Sequence, residues 1–131
     1  LALDYRRTVQ NFLALQTRGD EHALETLRSL RSKLASHGEP DQRALATGLD
    51  VLRNTDLRDD LPRVTLPALV IAGEHDRLTP PGAGRELAAR LPMARFHCVE
   101  RSGHAPFLSH PDEVLAEVLG FLARHTGGAT A

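Results

Sequence analysis

Residues 66–72, Leu-Pro-Ala-Leu-Val-Ile-Ala, form a short unbroken apolar run that Gly73 ends. A run of that length without alternation reads as a strand covered on both faces. Residues 94–100 alternate around Phe96, Cys98 and Val99 and read as a second strand. Between the two, residues 84–91 carry Leu87, Ala88 and Leu91 at helical spacing. Strand, helix and strand in that order predict a parallel pair joined by a right-handed crossover, because no tight turn can join parallel strands. A last helix over 112–125, with Val114, Leu115, Val118, Leu119 and Leu122 inward, follows a loop over 101–111. Two parallel strands do not make a stable sheet alone, so this unit is expected to be the end of a larger one.

Upstream the period changes from two to 3.6. Residues 2–17 place Tyr5, Val9, Phe12, Leu13 and Gln16 on one helical face. Gly19 stops that helix, and Asp20 stands where an N-cap belongs, with Glu21 in the next first turn. The second helix carries Leu24, Leu27, Leu30 and Leu34 as a stripe, and His37-Gly38-Glu39-Pro40 closes it. A third follows Asp41, with Ala44, Leu45, Gly48, Leu49 and Leu52 inward. Residues 56–63 form a polar connector, and the small, polar tail 126–131 is expected to fray. The expected organisation is an all-helical region over 1–54 and an α/β region over 55–131.

Composition removes several functional classes. The formal net charge of −1 argues against a surface built to neutralise nucleic-acid phosphates. No apolar run approaches the length of a membrane span. The single cysteine, Cys98, excludes an internal disulfide and a cysteine-cluster zinc site, which fits a reducing, cytoplasmic setting. Gly82-Ala83-Gly84 begins like a dinucleotide loop, but Leu87 breaks the pattern. His75, Asp76 and His104 match no metal-ligand spacing, so neither metal nor cofactor is expected.

Ligands of open α/β sheets meet the carboxyl ends of the strands. The loop after the first strand holds Gly73-Glu74-His75-Asp76-Arg77-Leu78-Thr79-Pro80, and the loop after the second holds Ser102-Gly103-His104-Ala105-Pro106-Phe107. An Asp at one strand end and a His at the next can meet as the orienter and base of nucleophilic catalysis. Only the imidazole titrates easily near neutral pH, which suits His104 to proton transfer. His22, His37, His75, His97, His110 and His125 have no such placement and read as solvated or turn residues.

The pattern Gly73-x-x-Asp76-x-x-x-Pro80 followed by Gly103-His104-x-Pro106 resembles the C-terminal part of α/β-hydrolases. Three further stretches narrow the resemblance: Arg7-Thr8-Val9-x-x-Phe12-Leu13-Ala14-Leu15-Gln16-Thr17, Gly48-Leu49-x-x-Leu52-x-x-Thr55-Asp56-Leu57-Arg58 and His104-Ala105-Pro106-Phe107-x-Ser109-His110-Pro111. Together they are similar to the pimeloyl-acyl-carrier-protein methyl ester esterases of biotin synthesis, over about residues 1–125. The resemblance implies a helical cap over 1–54 and the last strands and helices of the hydrolase core over 55–131. It implies Asp76 as triad acid and His104 as general base of a serine carboxylesterase. It also implies Arg7, Arg28 and Arg31 as contacts to the acyl-carrier protein that bears the ester, with Asn11 and Leu24 where the family can carry further arginines.

No serine here stands in a Gly-x-Ser-x-Gly elbow. Ser29, Ser32 and Ser36 fall on a helix, and Ser102 and Ser109 flank the histidine loop. The expectation is therefore a chain with two triad members, inactive alone, whose partner is the missing N-terminal half of a hydrolase. The helix that starts at Leu1 without a Met reads as a cut edge, and an uncovered sheet edge favours a homodimer. Alternatives are another α/β-hydrolase reaction, such as C–C bond or lactone hydrolysis, and a non-catalytic module that binds a carrier protein.

Overall fold

A computed structural model describes residues 2–36 and 41–126; side chains are described except those of residues 2–6, 35 and 126. The expected helix closure at 37–40, the tail 127–131 and the inward face of Tyr5 lie outside the described residues. The order of elements is α1 (Ala2–Gln16), α2 (Ala23–Ser36), α3 (Gln42–Asn54), a 3₁₀ turn (Leu61–Arg63), β1 (Ala68–Gly73), α4 (Pro81–Arg90), β2 (Ala94–Val99), α5 (Pro106–Ser109) and α6 (Pro111–Thr126).

The expected strand–helix–strand unit is present. β1 and β2 pair in parallel, with Ala68 opposite Ala94 and Gly73 opposite Val99. The register brings both carboxyl ends to one edge of the sheet, where the two loops with chemistry begin. α4 packs on both strands. It starts at Pro81, three residues before the expected position, because a proline at the first helical position gives up no hydrogen bond. β2 is tied to α6 by polar contacts as well: His97 lies 2.8 Å from Glu113, and Arg95 lies 2.8 Å from Glu117.

Burial departs from the expected faces. Leu13, Val99, Ala105 and Pro106 are the buried apolar side chains among the described residues. β1 is half-buried along its length, not sealed on both faces as its apolar run suggested. In α2 the buried position is Thr26, with Leu27 and Leu30 half-buried, while Leu24 and Leu34 are exposed. α3 is properly capped, since the Asp41 carboxylate accepts the Ala44 N–H at 2.8 Å. Yet none of its residues is buried, and Leu49 and Leu52 are 66% and 80% exposed. In α6, Val114, Val118 and Phe121 are half-buried while Leu115, Leu119 and Leu122 are exposed. Periodicity marks an apolar stripe but not what covers it: α6 packs on the two strands, whereas α2 packs on α1 and α5. No described helix is long and apolar enough to cross a membrane.

Candidate active site

Asp76 sits three residues beyond β1 and is 6% exposed. Its Oδ1 accepts the backbone N–H groups of Leu78 at 2.8 Å and Thr79 at 2.9 Å. Its Oδ2 accepts the Thr79 hydroxyl at 2.8 Å and, from the next strand end, the His104 Nδ1–H at 2.8 Å. Burial works to raise the Asp76 pKa, but the hydrogen bonds from His104, Thr79 and Leu78 outweigh it and hold the carboxyl below its usual range. An ionised carboxylate accepts only, so the shared proton belongs to His104 Nδ1, and in the neutral form of such a ring the lone pair is on Nε2. Nε2 has no hydrogen-bond partner among the described residues. The geometry is that of an orienting acid behind a proton acceptor.

Thr79 was missed by the sequence reading. Its hydroxyl also lies 3.2 Å from His104 Nδ1, so it closes a three-membered polar group with the acid and the base. An Asp followed three residues later by Thr is the local signal, because a short acceptor side chain in a turn collects the N–H groups just ahead of it. Beside the group lies a cleft of about 310 Å³. One wall is apolar, from Val70, Ala72, Leu87 and Pro106, and the other presents Asp76, Thr79 and His104.

The histidine loop is fixed by the turn between α1 and α2. Gly19 makes that turn with φ of 84°, a left-handed conformation that a side chain disfavours. The His104 N–H donates to the Gln16 carbonyl at 2.8 Å, the Glu21 N–H to the Arg101 carbonyl at 3.0 Å, and the His75 N–H to the Ser102 carbonyl at 2.9 Å. Gly73 completes the packing, since a Cβ there would overlap the Gly103 carbonyl oxygen. Asp20 is not the N-cap that its position suggested. α2 starts at Ala23 with the His22 carbonyl taking its first bonds, while Asp20 turns one oxygen to the His22 N–H at 2.7 Å and the other to Gly103.

The remaining candidates stand apart from this site. Ser102 is fully buried, its hydroxyl 3.1 Å from that of Ser109, so neither presents a nucleophile to the cleft. Arg7, Arg28 and Arg31 are exposed on α1 and α2, with no ion pair among the described residues. Glu21, His22 and His110 bring three potential metal-donor atoms within 4.8 Å of one another, a grouping the sequence reading did not single out. Both Glu21 oxygens are already engaged, one with His110 at 2.9 Å and the other with Arg101 at 2.9 Å, while His22 Nε2 lies 3.8 Å from the first.

Comparisons with known proteins give the family and the fold. The model of the alpha/beta hydrolase family matches residues 2–118. Pimeloyl-[acyl-carrier protein] methyl ester esterase of Stenotrophomonas maltophilia (strain K279a) is 47% identical over 123 residues, which are 94% of this chain and 48% of that protein. The protein of the same name from Xanthomonas campestris pv. campestris (strain B100) is also 47% identical, over 94% of this chain and 49% of its own length. The chain thus spans about half the length of these curated relatives. Among solved structures, BpoC of Mycobacterium tuberculosis H37Rv superposes with a TM-score of 0.67 at 26% identity, over 82% of this chain and 40% of that one. Proline iminopeptidase of Mycobacterium smegmatis gives 0.54 at 37% identity, over 58% of this chain and 25% of that one.

Proposed function

Because this chain belongs to the alpha/beta hydrolase family, we propose that it carries the acid and the base of a serine carboxylesterase acting on an ester borne by an acyl-carrier protein. The observation that carries the reading is the 2.8 Å contact of His104 Nδ1 with a buried, ionised Asp76, with Nε2 unpartnered among the described residues. The names of the relatives supply the ester class: a pimeloyl-carrier methyl ester. The nucleophile is a serine on a strand–helix elbow, in the part of the relatives that this sequence does not span.

Each step then follows from the pair. The serine hydroxyl attacks the ester carbonyl while His104 Nε2 takes its proton, and Asp76 stabilises the imidazolium. Backbone N–H groups stabilise the oxyanion in hydrolases of this type. The imidazolium returns the proton to the departing methoxide, and methanol leaves. Water attacks the acyl-enzyme with His104 again as base, releasing the carboxylate and the serine. The apolar wall of the cleft beside His104 suits the nucleophile-bearing element or the acyl chain. In this reading α1–α3 form the cap, and Arg7, Arg28 and Arg31 meet the acidic carrier. The exposed apolar faces of α3 and α6 are covered by the other half of the fold or, in the isolated chain, by a second copy.

The test joins this chain to the N-terminal half of the Stenotrophomonas relative and measures hydrolysis of a nitrophenyl ester and of a carrier-bound methyl ester. His104→Ala and Asp76→Asn are each expected to lower kcat by about ten-thousand-fold, the order known for serine hydrolases. Arg7→Glu with Arg28→Glu and Arg31→Glu raises KM for the carrier-bound ester and leaves the nitrophenyl ester unchanged. The 131-residue chain alone is expected to be inactive. Undiminished turnover in the His104→Ala chimera overturns the reading.

A further inference from the structure

The Gly103 N–H, immediately before His104, donates to Asp20 Oδ2 at 2.9 Å across 83 residues of sequence. Asp20 is 7% exposed, and its second oxygen is taken by the His22 N–H at 2.7 Å, so both oxygens are spent on backbone. The neighbouring bond, His104 N–H to the Gln16 carbonyl, comes from the same turn. Two successive amides of the histidine loop are thus held from the α1–α2 turn, one by a carbonyl and one by a carboxylate. A buried carboxylate is costly unless its hydrogen bonds are satisfied, and charge-assisted bonds are the strong ones. Asp20 is a poor choice for a local turn alone, which an Asn or Ser would make without burying a charge.

We propose that Asp20 is a positioning residue for His104: it fixes the Gly103 amide so that the imidazole meets Asp76 with Nδ1. For its catalytic consequence this rests on His104 being the general base. The placement itself is independent of that role. Helices α1 and α2 thereby share one mechanical unit with the histidine, so a displacement of the α1–α2 turn moves the base.

The test is nuclear magnetic resonance on the 131-residue chain, following the Gly103 amide and the His104 Nδ1–H proton that is bonded to Asp76. Asp20→Ala is expected to speed Gly103 amide exchange about tenfold or more, as loss of a charge-assisted hydrogen bond implies, and to shift or broaden the His104 Nδ1–H signal. Asp20→Asn retains one acceptor oxygen and is expected to fall between the two, which provides a folded variant for the comparison. Leu13→Ala, a buried change in α1, the helix that leads into the turn, without a side-chain polar contact to the loop, serves as the structural control. It should lower the melting temperature and leave both signals in place. The proposal is overturned if Asp20→Asn and Asp20→Ala lower the melting temperature with both signals unmoved, or if Leu13→Ala moves them equally. None of these readouts uses turnover, so failure of the esterase reading and failure of the positioning role are separate results.

Discussion

Asp76 is held ionised against its own burial, and that fixes the direction of a pH effect. Its folded-state pKa lies below the unfolded value, so the stability it contributes is present above the ordinary carboxylate range and is lost as pH falls through the folded value. Asp76→Asn is therefore expected to be less stable than the parent chain at neutral pH, with the gap narrowing below about pH 4. Urea unfolding of both proteins across that range is the check; a gap that stays constant with pH contradicts the assignment. Asp76 and His104 were legible in the sequence because consecutive parallel strands end at one edge, so the residues after each must be neighbours. Asp20 was not legible. A carboxylate after a glycine and before a helical stripe has a complete local explanation, and nothing local reveals a partner in the histidine loop.

At the level of elements, apolar periodicity identified the five longer helices and both strands, but not the short α5 inside the expected loop 101–111 and not which faces are covered. Leu13 of α1 is buried, whereas Leu49 of α3 is largely exposed, although both stand on apolar stripes. Leu13→Ala is accordingly expected to cost about 2–5 kcal/mol, and Leu49→Ala to stay within about 0.5 kcal/mol. Thermal or urea unfolding of the two variants distinguishes them, and comparable losses contradict the exposure of α3. The boundaries that shifted have local causes. Pro81 starts α4 early because a helix tolerates proline in its first turn, and α2 starts late because Asp20 gives its oxygens to other amides.

At the scale of the molecule, apolar side chains on several helices are left exposed among the described residues. α3 and α6 expose leucine stripes, and the sheet consists of two strands, each paired along one edge only. Open edges and apolar patches invite association. Sedimentation equilibrium of the isolated chain is expected to return a mass that rises with concentration above the 14.3 kDa of one copy; a fixed monomer mass contradicts it.

The α1–α2 turn has a consequence in time as well as in space. β1 and β2 are joined through one helix, while the bond from Asp20 to Gly103 closes 83 residues of chain. Entropy must be surrendered before so distant a contact returns anything, and local contacts form sooner. The sheet is therefore expected to assemble before the turn arrives, with the histidine loop setting late. A chain arrested between those two events would have its strands in register and His104 not yet beside Asp76.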